Sequence, residues 1–180
     1  MNPTAKNFII IAVVSSIIIA LMWLLWKKFI LYLKNKTNSS MSLKGGKNNP
    51  GYLNVTGDQW LGKIKPEPGQ RFENFDTLEH GIRAWLINLR THIKRNGGKI
   101  SVDKMIDILT PAISENPEQA RINYKKKIKD FIKSDTVTMD NAHLVAKAVF
   151  DFEANPDYVK VKDTITPSVI KSIQNKYNIV

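Results

Sequence analysis

The chain contains no cysteine. That absence removes disulfides, thiolate metal ligands and thiol nucleophiles together. Its three histidines (His80, His92 and His143) are scattered and form no His-x-x-x-His pair, so no zinc signature is present. Neither a glycine-rich phosphate loop nor a Gly-x-Ser-x-Gly elbow occurs, which excludes the common nucleotide-binding and serine-hydrolase arrangements. No metal and no cofactor is therefore expected. Acid is missing from one end: nothing before Asp58 is acidic, while the first 44 residues carry six lysines. Of the net charge of +11, that short segment holds more than half.

What the same end does have is apolar length. Residues 8–26, beginning at Phe8, contain no charge, proline or glycine. As a helix these would extend roughly 28 Å, about the thickness of a bilayer's hydrocarbon core. Trp23 and Trp26 fall where indoles favour a lipid–water interface, and Lys27 and Lys28 end the run. A secretory signal is the competing reading. Against it, the run exceeds the roughly 7–15 apolar residues of a signal core, and the chain beyond it lacks a small-x-small cleavage site. The sequence thus predicts a short tail (residues 1–7), a transmembrane helix (8–28), a basic flexible tether (29–47) and a compact soluble domain (48–180). The lysines after the span place that domain on the cytoplasmic side, with a lipid bilayer as partner.

The first part of the domain is rich in turn residues, with Asn48-Asn49-Pro50-Gly51 followed by Thr56-Gly57-Asp58 and Pro66-Glu67-Pro68-Gly69. Irregular loops with a small hairpin are expected there. Helices dominate afterwards. Asp76 stands three residues before Glu79, the spacing of a capping box. The helix so opened places Leu78, Ile82, Trp85, Leu86, Leu89 and Ile93 on one face. Asn96-Gly97-Gly98 ends it. Ser101 and Asp140 read as caps of further helices, and Pro117 and Pro167 as first-turn residues. Phe131 and Phe152 are expected to point inward. The fold class is mainly α, a helical domain with a small irregular β part.

Residues 48–132 resemble a family of phage-encoded virion structural or virion-associated proteins. The likeness is carried by Asn48, Asn49, Pro50 and Gly51, then Trp60 and Gly62. It continues through Phe72, Phe75, Asp76, Thr77, Glu79, Gly81, Ile82, Arg83 and Ala84, and then Pro111, Glu115, Asn116 and Tyr124. The run from Phe75 to Ala84 is the most specific part. The chain departs from the pattern in two places. Tyr52, Leu53 and Asn54 stand where the family has Asn-Ile-Arg, and Leu109-Thr110 where it has Trp-Ala. The order of motifs is also distantly similar to lysozyme-like murein hydrolases (glucosaminidases and lytic transglycosylases). The resemblance implies a virion protein that binds and cleaves peptidoglycan glycan during host entry or exit. It would sit in a virion inner membrane or the host cytoplasmic membrane, with capsid proteins as further partners. The alternative it implies is a non-catalytic protein linking viral membrane to capsid shell.

Glycan cleavage needs a carboxylic acid of raised pKa, often with a second carboxylate. Glu79 is the first candidate acid, and helix capping is its competing role. Glu73 and Glu115 are candidate second carboxylates; Asp76 is a further one or the helix cap itself. Trp60 and Phe75 could stack on sugar faces or fill the core. Asn48, Asn49, Arg83 and Asn116 are candidate substrate contacts, with turn-forming, capping or solvent-facing roles as alternatives. The lysine run from Lys125 to Lys133 reads as a solvated helix face, and nucleic acid is not an expected partner.

Overall fold

A computed structural model describes residues 46–109 and 117–180, together with Trp23 and Lys27. Among the described residues there are six helices and two small antiparallel sheets. In chain order these are β1 (Lys63–Ile64), β2 (Asn74–Phe75), α1 (Leu78–Arg95), β3 (Ile100–Ser101) and α2 (Val102–Leu109). Then follow α3 (Pro117–Ile132), β4 (Thr136–Val137), α4 (Ala142–Glu153), α5 (Pro156–Val159) and α6 (Pro167–Lys176). In the first sheet Lys63 is opposite Phe75, and in the second Ile100 is opposite Val137.

The long helix α1 forms because its apolar residues recur every three or four positions, and Ile82, Trp85, Leu86, Leu89 and Ile93 are all buried. Its start differs from expectation. Thr77, not Asp76, is the N-cap, its side chain accepting the His80 N–H at 3.2 Å. The Asp76 carboxylate instead accepts the Thr77 N–H at 2.7 Å and faces the His80 ring at 2.6 Å. Glu79 is therefore one position too early to close a capping box, and it turns outward. The end is as the glycines indicate: Gly97 and Gly98 take positive φ, and the Gly98 N–H returns to the Ile93 carbonyl at 3.0 Å.

Helices α4 and α6 pack against α1, and α3 packs against α4 and α2. At the centre Trp85 meets Phe150 edge-on at 5.3 Å, and Phe150 meets Tyr158 at 5.7 Å. Two inward assignments are corrected. Phe131 is 44% exposed, because the buried stripe of α3 runs through Tyr124, Ile128 and Ile132. Phe152 is 37% exposed, because Val145, Ala148 and Val149 set the phase of α4 and bring Phe150 inward. Asn141 rather than Asp140 precedes α4, and its amide ties Thr136 and Thr138 to that helix start.

Among the described residues no helix is long and apolar enough to cross a membrane. The expected architecture of a spanning helix followed by a tethered domain, and the membrane localisation that went with it, are corrected to this extent: the described helices supply no span. The longest of them, α1, has 18 residues and carries Glu79, Arg83, Arg90, Lys94 and Arg95, charges that hydrocarbon could not satisfy. The span expected over 8–28, with Phe8, Trp26 and Lys28, lies outside the described residues except for Trp23 and Lys27. Those two are helical, with the Lys27 ammonium 3.9 Å from the centre of the Trp23 ring. Glu115 and Asn116 also lie outside the described residues.

Candidate functional site

Two environments flank α1, and the expected site residues fall mostly in the first. At its N-terminal half, the Asn48–Gly51 turn is bolted down. The Asn48 side-chain amide donates to the Phe75 and Asp76 carbonyls, both at 3.0 Å, and its backbone N–H donates to Asp157 at 3.1 Å. Asn49 is fully buried. Its amide donates to the Leu53 carbonyl at 2.9 Å and the Glu73 carbonyl at 3.0 Å, while its oxygen accepts the Leu53 N–H at 2.9 Å. The turn lies so close to α1 that a Cβ on Gly81 would stand 1.8 Å from the Asn48 carbonyl oxygen, and one on Gly51 would stand 2.2 Å from the Trp85 ring. Phe75 is core. Asn48, Asn49 and Phe75 therefore spend their side chains inside the fold.

Glu79 and Arg83 face the other way, toward the end of α6. The Glu79 carboxylate accepts from the Lys176 ammonium at 2.6 Å and from the Tyr177 hydroxyl at 2.7 Å. Those two hydrogen bonds hold its carboxyl below the usual range. A general acid requires the opposite shift. The Arg83 guanidinium lies 5.0 Å from the Tyr177 ring centre. Here too the geometry is that of a clasp between helices.

Glu73 is fully buried beneath the loop that follows Asn54. One carboxylate oxygen accepts from the Lys63 ammonium at 2.8 Å and from the Thr56 N–H at 2.9 Å. The same ammonium donates to the Thr56 and Asp58 carbonyls at 2.8 and 3.1 Å. This buried pair pins residues 56–58 in place.

The second environment is a cleft of about 260 Å³ along the C-terminal half of α1. It is lined by Tyr52, Asn54, Thr56, Asp58 and Trp60 from the loop before β1, by Trp85, Asn88 and His92 of α1, and by Ile108 and Leu109 of α2. It is small beside the roughly 300–1,000 Å³ of ordinary ligand sites, which suits one ring rather than an extended molecule. Asn88 and His92 make no side-chain hydrogen bond among the described residues. Burial, followed by the nearby Arg95, lowers the His92 pKa, so its ring is neutral near pH 7. Tyr52 adopts φ of 48°, a left-handed backbone that a tyrosine rarely takes outside constrained sites.

Of the expected site residues that are described, only Trp60 lines this cleft. Asn54, Asp58, Asn88 and His92 join it there, none of them an expected site residue. Trp85, Asn88 and His92 follow one another at three and four positions, so the edge of the apolar stripe marked them. Elsewhere the basic run is largely neutralised: Arg121 and Lys125 pair with Asp107, Lys126 with Asp130, and Lys129 with Asp103 and Asp135. Among the described residues no group of histidine, aspartate and glutamate could hold a metal ion. Compared with known proteins, the chain matches no family model and no curated relative.

Proposed function

We propose that the domain binds peptidoglycan glycan as a component of a phage virion, with one sugar ring seated in the cleft beside Trp60. The observation that carries this is the chemistry of the cleft. A sugar presents apolar C–H faces and a rim of hydroxyl and acetamido groups. Trp60 and Ile108 offer apolar surface to the first, and Asn88 and His92 offer unpaired polar atoms to the second. Neither Glu79 nor Glu73 lies on the cleft, so binding is better supported than cleavage by those carboxylates. The virion context comes from the sequence resemblance.

The test is retention of the purified full-length chain on peptidoglycan sacculi, compared with Trp60→Ala. Removal of the indole is expected to weaken binding by at least ~10-fold. Absence of binding by the folded wild type would sink the glycan reading. It would favour a second one, a virion structural protein without a glycan ligand. That second reading draws its support from the engagement of Asn48, Asn49, Gly51 and Gly81 in packing rather than in a surface.

A further inference from the structure

A cation without an acidic partner stands beside the cleft. Arg71 is exposed, and among the described residues its side chain makes one hydrogen bond, to Asn54. Backbone pairing puts it there. Asn54 and Phe72 oppose each other in an antiparallel bridge, the Val55 N–H donates to the Arg71 carbonyl at 2.8 Å, and the Glu73 N–H donates to the Leu53 carbonyl at 2.9 Å. Arg71 is not itself on the lining, but two contacts tie it to residues that are. Its Nε donates to the Asn54 side-chain oxygen at 3.3 Å, and Asn54 lines the cleft. Its guanidinium carbon lies 5.2 Å from the centre of the Phe72 ring, which lies 5.2 Å from that of Tyr52, a second lining residue. These contacts engage Nε and one face of the guanidinium. The two terminal Nη groups are left over, and they form the edge that grips a carboxylate with two parallel hydrogen bonds. A plane already held in position loses less freedom when a ligand arrives. Asp58, the one carboxylate among the lining residues, repels an anion, so the Asn54 side is where one is favoured.

We propose that the cleft selects a sugar bearing a carboxylate over a neutral one, with the Arg71 guanidinium as the group that reads the charge. The proposal rests on the reading of the cleft as a glycan site. In peptidoglycan this chemistry fits the ring whose lactyl ether ends in a carboxyl group, rather than the neutral N-acetylglucosamine ring that alternates with it. That carboxyl is free in a strand stripped of peptide. In an intact strand the stem peptide attached there brings carboxylates of its own, and the guanidinium fork meets the same chemical group.

The experiment is isothermal titration calorimetry of the full-length chain with three probes. They are an N-acetylglucosamine tetramer, a tetramer alternating N-acetylglucosamine with N-acetylmuramic acid, and the second tetramer with its stem peptides attached. The wild type is expected to bind an acidic probe ~10-fold more tightly than the neutral one. Arg71→Gln, its fold checked by circular dichroism, should lose that preference, with the loss falling on the acidic probes. Added salt should shrink the preference, because the guanidinium is exposed. Preference for the bare acidic tetramer identifies the lactyl carboxyl as the anion, and preference confined to the peptide-bearing one identifies the stem. Equal wild-type affinity for neutral and acidic probes would overturn the proposal and leave the cleft reading intact. So would a preference that survives Arg71→Gln. A folded wild type that binds none of the probes would remove both, which separates the two failures.

Discussion

The two halves of α1 make the same kind of helix and serve opposite ends. Around its N-terminal half the amides and the carboxylate are engaged: Asn48 and Asn49 each donate two side-chain hydrogen bonds, and Glu79 holds two donors. Along its C-terminal half, Asn88 and His92 face a cleft without partners among the described residues. Asn48, Asn49, Phe75 and Gly81 lie in the packed half, whereas Tyr52, Leu53, Asn54, Trp60 and Leu109 line the open one. Gly51 belongs to both, since it closes against Trp85 and also lines the cleft.

If the packed half is rigid, its close contact is the place to break it. Gly81→Ala puts a methyl group 1.8 Å from a backbone carbonyl, and neither helix nor turn can retreat without losing the Asn48 bonds. The expected loss is about 3 kcal/mol or more, the upper range for overpacking. Urea denaturation followed by circular dichroism measures it, and a loss below about 1 kcal/mol would show that the turn is free to move. Asn49→Ala comes next. It leaves the Leu53 N–H and the Leu53 and Glu73 carbonyls without the partner each now has, at an expected cost of about 2–3 kcal/mol. A neutral result would show that the Leu53 and Glu73 backbone groups find other partners.

The helical domain was legible in the sequence because periodicity reports burial directly. The stripe of α1 and its glycine stop were readable residue by residue. Where the reading failed, competing geometry decided. Thr77 displaced Asp76 as the cap because either side chain can reach the first turn, and Asp76 found the Thr77 N–H and His80 instead. Phe131 and Phe152 looked like core on hydrophobicity alone, yet each lies off its helix's buried stripe. The expected spanning helix was read from apolar length, a property that no described helix has. The cleft was the least legible part. Its polar residues come from a loop and from one edge of a helix, and only tertiary packing brings them together.

The smallest expected effect is the most informative about Glu79. If this residue is a clasp, Glu79→Gln costs a little stability at neutral pH, less than either substitution above. The pH dependence gives the sign. The Lys176 and Tyr177 hydrogen bonds lower the folded pKa of Glu79 below its unfolded value of roughly 4.3. Its contribution is therefore fully present above that value and is lost as pH falls through the lowered one. The gap in thermal midpoint between wild type and Glu79→Gln should accordingly be open at pH 7 and closed once the wild-type carboxyl is protonated. A gap that stays constant into strong acid would mean that the charge is not what Lys176 and Tyr177 hold. The comparison between the halves of α1 would then lose its outer clasp, though not its inner one at Asn49.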